Sequence, residues 1–222
     1  MSSAPGRRFD LIVFDWDGTL FDSTRLIARC IQSACADVGT AVPSDRDASY
    51  VIGLGLADAL RHAAPELPPA RHRELGERYR HHYLASRNDL VLFEGTVEML
   101  RALKEKNHAL AVATGKTRAG LDDALASAAL QGLFDATRTA DETAGKPDPR
   151  MLLELMGELG CAPGRTLMVG DTTHDLQLAF NAGCPSVAVS FGAHAHAEFA
   201  GHRPLHVAQS TADLHDWLVR HG

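Results

Sequence analysis

The chain has little of what marks secreted, disulfide-rich or membrane-spanning proteins. Its 222 residues include four cysteines and no CxxC pair, a pattern that favours reduced thiols over a disulfide framework. The apolar run near the N-terminus is interrupted by Asp15 and Asp17, so it predicts neither a signal-peptide core nor a membrane span. We therefore expect a cytoplasmic protein without a membrane partner.

The chain also has fewer basic than acidic residues, 22 lysines and arginines against 28 aspartates and glutamates. The formal net charge is −6, whereas proteins that bind phosphate backbones usually carry a basic face, so nucleic acid is not the expected partner. A small phosphorylated substrate needs only a local positive site and stays compatible with this composition. The lysines are four in number, namely Lys104, Lys106, Lys116 and Lys146.

Short apolar segments alternate with helical patterns over most of the chain. The expected strands cover residues 9–14, 109–113, 134–137, 166–169 and 186–189. The expected helices cover residues 21–38, 96–107, 117–130, 148–160, 173–182 and 213–221. Alternation of this kind predicts an α/β fold, a doubly wound (Rossmann-like) parallel sheet with helices on both faces.

The segment from about residue 42 to 88 departs from this alternation. It is rich in arginine, histidine and alanine and predicts further helices with no clear strand. An inserted all-helical cap accounts for this difference. We assign residues 21–91 to the cap and residues 1–20 and 92–222 to the α/β core.

Polar residues follow several of the predicted strands. Asp15 and Asp17 come after the first strand, Thr114 and Gly115 after the second, and Asp171 after a later one. In open α/β sheets, ligand sites form outside the carboxyl ends of the strands. These residues should therefore converge on one crevice, together with a lysine from the loop at residues 144–149.

Four carboxylates belong to this expected crevice: Asp15, Asp17, Asp171 and Asp175. Without a cation they would repel one another, and some would be forced into the neutral form. Magnesium favours oxygen ligands and is commonly held by one or two carboxylates together with a substrate phosphate. The pattern therefore predicts both Mg²⁺ and a phosphate group.

The ordered set of motifs resembles that of the haloacid dehalogenase-like hydrolase superfamily, which consists mostly of phosphatases. The matching segments are an apolar strand with DxDGT at residues 13–19, Thr114, Lys146-Pro147, and GDxxxD at residues 170–175. The resemblance covers essentially the whole chain. Residues 52–56, 169–176 and 182–187 resemble the phosphoglycolate phosphatase-like group, although Gly115-Lys116 follows Thr114 where that group often has Asn-Lys.

The resemblance implies roles for the first motif. Asp15 would attack phosphorus and form an aspartyl-phosphate, a reaction known for carboxylate nucleophiles. Asp17 would protonate the leaving alcohol, then deprotonate the water that releases phosphate, and also give its main-chain carbonyl to the metal.

The remaining motifs are implied to hold the metal and the phosphoryl group. Asp171 would be a direct metal ligand beside Asp15 and Asp17, and Asp175 would act through a metal-bound water or orient Lys146. Thr114 and Lys146 would hold phosphoryl oxygens. Further candidates for binding phosphate or substrate are Gly18, Thr19, Gly115, Arg25 and Gly53.

Other reaction types of the superfamily are partly argued against by the sequence. Asp17 favours phosphate-ester chemistry over dehalogenation, and the absence of a lysine from residues 21–91 argues against a phosphonate-cleaving Schiff base. A phosphomutase similar to β-phosphoglucomutase, or a catalytically weak binding or regulatory protein, stays open. The expected partner is a small phosphorylated metabolite, phosphoglycolate being one candidate, for a monomer or homodimer. The histidines at 174, 194, 196, 202 and 206 carry no predicted metal or catalytic role.

Overall fold

A computed structural model describes residues 8–86, 91–127, 130 and 132–222 of the chain. Residues 1–7, which we assign to the core, and residues 87–90, which we assign to the cap, lie outside the described residues. So do residues 128–129 of the helix expected at 117–130.

Six parallel strands form one sheet: β1 Leu11–Phe14, β2 Ala109–Thr114, β3 Ala136–Thr139, β4 Thr166–Gly170, β5 Ser186–Val189 and β6 Val207–Ala208. Their order in the sheet is β3-β2-β1-β4-β5-β6. Leu11 of β1 lies opposite Ala109 on β2 and Thr166 on β4, so β1 is central. This order is that of a doubly wound fold, and the predicted fold class is confirmed.

The alternation of side chains along β1 builds two apolar layers. Ile12 and Phe14 join one buried cluster with helical leucines such as Leu103 and Leu214. Leu11 and Val13 point to the opposite face, where Met151, Leu155 and Leu178 cover them. Both faces of the strand are buried, which explains why the segment is apolar throughout rather than alternating with polar residues.

Nine α-helices lie in the described residues: α1 Thr24–Asp37, α2 Asp45–Tyr50, α3 Leu56–Ala63, α4 His72–Ser86, α5 Thr96–Glu105, α6 Arg118–Ser127, α7 Arg150–Leu159, α8 Thr173–Asn181 and α9 Thr211–His221. None of these is both long and apolar enough to cross a membrane. The first helix begins three residues later than expected, because Phe21 instead makes bridge contacts to Asp17 and Leu92. The strand β6 is a two-residue element that no sequence pattern indicates.

Helices α1 to α4 lie in sequence between β1 and β2 and share a separate hydrophobic cluster that includes Ile31, Leu60 and Leu75. The two chain segments that connect these helices to the rest of the chain, at residues 20–22 and 91–93, run side by side. The Asp22 amide donates to the Val91 carbonyl, and the Phe93 amide donates to the Leu20 carbonyl, each at 3.0 Å. These contacts support our proposal of a core and a cap divided at residues 20/21 and 91/92.

Leu75→Ala should destabilise the protein by about 2–5 kcal/mol, because the change leaves a cavity around a fully buried side chain of α4. Leu84→Ala on the same helix is the matched control, since Leu84 is 55% exposed and its truncation should cost less than about 0.5 kcal/mol. Urea unfolding followed by circular dichroism measures both. Equal losses would show that the cluster around Leu75 does not stabilise the fold.

Candidate active site

The central strands deliver the predicted catalytic residues to one edge of the sheet. Asp15 directly follows β1, Thr114 ends β2, and Asp171 directly follows β4. All three side chains are buried. The Asp15 amide donates to the Val169 carbonyl at 2.9 Å, so the β1–β4 ladder continues into the site. The expected convergence of these strand ends is present in the fold.

Lys146 enters this edge from the loop between β3 and α7. Its Nζ lies 2.6 Å from Asp15 Oδ1 and 2.6 Å from Asp175 Oδ1, and all three side chains are buried. Burial opposes the lysine charge, but the two carboxylates raise the pKa of Lys146 above its ordinary value. The ammonium is therefore held charged between the two carboxylates.

The capping box of α8 fixes the position of Asp175. Asp175 Oδ2 accepts hydrogen bonds from the Thr172 amide at 3.0 Å and the Thr172 hydroxyl at 2.7 Å, and the Asp175 amide donates back to that hydroxyl. A Cβ at Gly170 would overlap the Asp175 side chain. One oxygen of Asp175 thus caps a helix while the other pairs with Lys146, an arrangement that supports the predicted orienting role.

Three carboxylates lie close enough together to share a cation. Asp15, Asp171 and Asp175 each present an oxygen, and these oxygens lie within 4.8 Å of one another. Asp15 Oδ2 is buried without a hydrogen-bond partner among the described residues. A divalent cation fits this oxygen-only, negatively charged group, because it would satisfy the unpaired oxygen and offset the repulsion.

Two raised pKa values in this group are consistent with a cation site. Burial raises the pKa of Asp15 to about 7, with Asp175 and Asp17 adding to the rise and Lys146 opposing it. Burial, together with Asp15 and Asp175, raises the pKa of Asp171 well above its ordinary value. Asp15 and Asp171 are thus costly to ionise without a further positive charge nearby.

Two short loops hold the Asp171 carboxylate. The Thr19 hydroxyl donates to Oδ1 at 3.0 Å, and the Ala193 amide donates to Oδ2 at 2.7 Å. Gly18 and Gly192 pack so closely that a Cβ at either position would overlap this side chain. Thr19 therefore positions Asp171, while the phosphate-binding role expected for Gly18 and Thr19 stays a prediction. The contact of Ala193 had no signal in the sequence.

The Asp17 side chain has its partners outside the acidic group. Its Oδ1 accepts from the Ser23 hydroxyl at 2.7 Å, and its Oδ2 lies 3.0 Å from Lys116 Nζ. Asp17 is not among the three carboxylates that could share an ion within the described residues. This placement is compatible with acid–base work by the side chain and metal binding by the main chain. Ser23 and Lys116 are site residues that sequence reasoning missed.

The loop between α2 and α3 lies directly on the core at this edge. A Cβ added to Gly115 would lie 2.7 Å from the Gly53 carbonyl oxygen and would overlap the Leu54 carbonyl. Gly53 has φ +91° and faces the Thr172 side chain. The loop thus covers Gly115 and Thr172, and it would shield the reacting groups from water.

The other candidate residues are less closely tied to this edge. Arg25 is exposed on α1, and its expected substrate contact stays a prediction. His174 and His194 have clear partners instead, since the Nε2 atoms of both lie near the Tyr50 carbonyl oxygen, at 2.8 and 3.0 Å. Both histidines thereby connect the core to the C-terminal end of α2.

Comparison with known proteins gives consistent matches. A sequence model described as haloacid dehalogenase-like hydrolase matches residues 12–189. "Probable phosphatase IndB" of Dickeya dadantii is 38% identical over 190 residues, covering 83% of this chain and 82% of that protein. A phosphoglycolate phosphatase of Mannheimia succiniciproducens is 30% identical, covering 93% and 97%.

One more relative and one solved structure show a similar degree of likeness. The pyrophosphatase PpaX of Halalkalibacterium halodurans is 32% identical over 210 residues, covering 92% of this chain and 94% of that protein. Among solved structures, a predicted phosphoglycolate phosphatase from Haemophilus somnus has a TM-score of 0.83 at 29% identity, covering 94% of this chain and 97% of that one.

We expect Mg²⁺ to stabilise the protein more near pH 8 than near pH 5. The raised pKa of Asp15 means that the fold takes up protons between its ordinary value of 3.8 and about 7, so stability falls as pH rises through that window. Magnesium binds the ionised carboxylates and offsets this loss, by about 2.7 kcal/mol when its concentration is 100-fold above Kd. Thermal denaturation with Mg²⁺ or a chelator, at both pH values, measures the difference.

Asp171→Asn is the control for this experiment and should abolish most of the Mg²⁺ effect. An equal Mg²⁺ shift at the two pH values would contradict the assignment of the cation to these carboxylates.

Gly115→Ala should push the Gly53–Leu54 carbonyls outward and lower phosphatase turnover without unfolding the protein, because the added methyl collides with those atoms. A displaced loop admits water, and a misplacement near 1 Å can cost about 10²-fold in rate. Gly157→Ala is the matched control, since nothing lies within 4 Å of its added methyl. Unchanged turnover in Gly115→Ala would show that the loop does not close on the reacting groups.

Proposed function

The chain belongs to the haloacid dehalogenase-like hydrolase family and is a phosphatase, and we propose that it hydrolyses a small phosphomonoester with Mg²⁺ through an aspartyl-phosphate on Asp15. One observation carries this proposal. The buried ammonium of Lys146 contacts Asp15, and the carboxylates of Asp171 and Asp175 lie beside Asp15. A nucleophile and the charges that a phosphoryl group needs are thereby gathered at one point.

In the first step a carboxylate oxygen of Asp15 attacks phosphorus while the bond from phosphorus to the leaving oxygen breaks. Asp15 suits this role because the Lys146 ammonium, 2.6 Å from Asp15 Oδ1, holds its carboxylate in place. Asp17 gives a proton to the departing alkoxide, which is otherwise a poor leaving group. In the second step Asp17 takes a proton from water, the water oxygen bonds to phosphorus, and the Asp15 carboxylate is released with inorganic phosphate.

Thr114 and Lys146 hold the phosphoryl oxygens in this proposal. The Lys116 amide donates to Thr114 Oγ1 at 3.2 Å, which leaves the hydroxyl proton of Thr114 free to bond a phosphoryl oxygen. Lys146 adds a full positive charge, and the amide of Gly115 is a further donor. Phosphoryl transfer depends mainly on such positioning and electrostatic stabilisation.

Asp15, Asp171 and the main-chain carbonyl of Asp17 would hold Mg²⁺, with Asp175 orienting Lys146. When bound, the ion neutralises charge on the phosphoryl group and on the carboxylates around it. The oxygen-only donor set and the unpaired Asp15 Oδ2 support this assignment.

The proposed substrate is a small phosphorylated metabolite, and phosphoglycolate is the first one to test. The relatives named as phosphoglycolate phosphatases and the one named as a pyrophosphatase support a small anionic substrate. The loop over Gly115 supports a compact leaving group, since its Gly53 and Leu54 carbonyls leave no space for a Cβ on Gly115. A cytoplasmic location and a monomeric or homodimeric state belong to the same proposal.

Phosphate release from phosphoglycolate with Mg²⁺ tests the reaction class. A phosphomutase would instead isomerise a sugar phosphate in the presence of a bisphosphate activator, with little net phosphate release. A binding or regulatory protein would do neither.

Asp15→Asn should lower turnover by about 10³-fold or more, because an amide cannot form the covalent intermediate. Asp17→Asn should lower turnover of phosphoglycolate about 10²–10⁴-fold. With 4-nitrophenyl phosphate, whose leaving group needs no proton, Asp17→Asn should still form the phosphoenzyme and release one equivalent of nitrophenolate. Rapid-quench kinetics measure this burst. Full turnover by Asp15→Asn would refute the nucleophile assignment.

A further inference from the structure

Lys116 is a largely buried cation that the four motifs do not use. Its side chain is 11% exposed, and its Nζ lies 3.0 Å from Asp17 Oδ2. On the other side Nζ donates to the Tyr83 hydroxyl at 3.0 Å and lies 5.1 Å from the centre of the Tyr83 ring. Since Tyr83 belongs to α4, Lys116 bridges the core and the helices that follow β1.

The two buried lysines of the site differ in how their charges are balanced. Lys146 has two carboxylate partners, Asp15 and Asp175. Among the described residues, Lys116 has one carboxylate within ion-pair distance, that of Asp17. In the proposed function, the same carboxyl group protonates the leaving oxygen of the substrate. A desolvated cation is costly without a matching anion, so Lys116 is suited to receive a further negative group.

Tyr83 adds a second donor beside the ammonium. Its oxygen accepts from Lys116 Nζ, so the phenol proton stays free for another acceptor. The ring of Tyr79 stacks on that of Tyr83, with centroids 6.0 Å apart and an interplanar angle of 21°, which holds the phenol in place. Two fixed donors 3.0 Å apart can each bond one oxygen of the same carboxylate.

The position of this donor pair defines where the anion must lie on the substrate. Asp17 is the proposed proton donor to the leaving oxygen, and Lys116 Nζ lies 3.0 Å from its carboxylate. An anion bound there must therefore be carried by the leaving group, within one or two carbons of the bridging oxygen. The carbonyls of Gly53 and Leu54 lie directly over Gly115, the neighbour of Lys116, and limit the space at that position.

We propose that Lys116, together with Tyr83, binds a carboxylate on the leaving group and thereby selects phosphorylated small hydroxy acids over neutral phosphorylated alcohols. This inference rests on the proposed function, because it concerns the leaving-group side of the same site. Lys116 is a specificity-determining residue in this account, and Tyr83 orients its amine and contributes the second hydrogen bond.

The experiment compares two substrates of similar size, phosphoglycolate and 2-hydroxyethyl phosphate, in which a hydroxymethyl group replaces the carboxylate. The wild-type enzyme should favour phosphoglycolate in kcat/KM by about 10²-fold, the range expected for hydrogen bonds to a charged group. Lys116→Met should lose most of this preference, chiefly through a higher KM for phosphoglycolate. Lys116→Arg should retain part of it, because the charge is kept.

Tyr83→Phe provides a second, milder variant in case Lys116→Met does not fold. It should reduce the preference by about 3- to 10-fold, as expected for one neutral hydrogen-bond donor. Lys106→Met is the matched control for lysine removal, since Lys106 contacts the Val219 carbonyl on the surface, and it should leave the preference unchanged. Pyrophosphate serves as a third substrate and distinguishes a carboxylate site from one that accepts any anion.

The outcomes separate this inference from the proposed function. A wild-type enzyme that releases no phosphate from any of the substrates with Mg²⁺ overturns the proposed function itself. An active enzyme without preference for phosphoglycolate, or a Lys116→Met variant that slows both monoesters equally, overturns the inference and limits Lys116 to positioning Asp17. A preference for pyrophosphate lost in Lys116→Met would overturn the choice of a carboxylate.

Discussion

The structure of the site depends on the burial of Lys146 between Asp15 and Asp175. An ammonium and two carboxylates in the interior are tolerated only if they neutralise and orient one another. The lysine comes from the loop before α7, Asp15 from the end of β1, and Asp175 from the first turn of α8. This contact therefore joins three segments that lie far apart in sequence.

The same contact leaves a deficit of positive charge that a metal can fill. Asp171 completes an acidic group with Asp15 and Asp175, while the single buried ammonium among them cannot offset all three. The fold holds these carboxylates in place through hydrogen bonds from Thr19, Ala193 and Thr172. The unfavourable proximity of the carboxylates is thus maintained by local geometry, which is a common property of sites that bind a cation and a phosphate together.

The helices that follow β1 contribute contacts of a different kind. The loop at Gly53 packs against Gly115, and Tyr83 contacts Lys116. The side chains of His174 and His194 lie within hydrogen-bond distance of the Tyr50 carbonyl oxygen. The first two contacts bring the carbonyls of the Gly53 loop next to Gly115 and the Tyr83 phenol next to Lys116. In the proposed function the phosphoryl side belongs to the α/β core, and the leaving-group side is shared with these helices.

The sequence alone predicted the doubly wound fold and the meeting of Asp15, Thr114 and Asp171 at the strand ends, since apolar strand runs and motif spacing are local patterns. It also indicated the position of α8, although not the role of Thr172 in holding Asp175. The sequence could not indicate β6, whose two residues pair only because β5 lies beside them.

Only the tertiary structure decided the partners of Asp17. Its partners Ser23 and Lys116, and the Tyr83 that contacts Lys116, come from three separate segments, and no periodicity or motif connects them. Their meeting depends on how the helices after β1 pack on the core, which is a property of side-chain packing between elements rather than of any one element. Motif spacing is therefore sufficient to predict which side chains meet at the strand ends, whereas the groups around Asp17 come together only when the whole chain is folded.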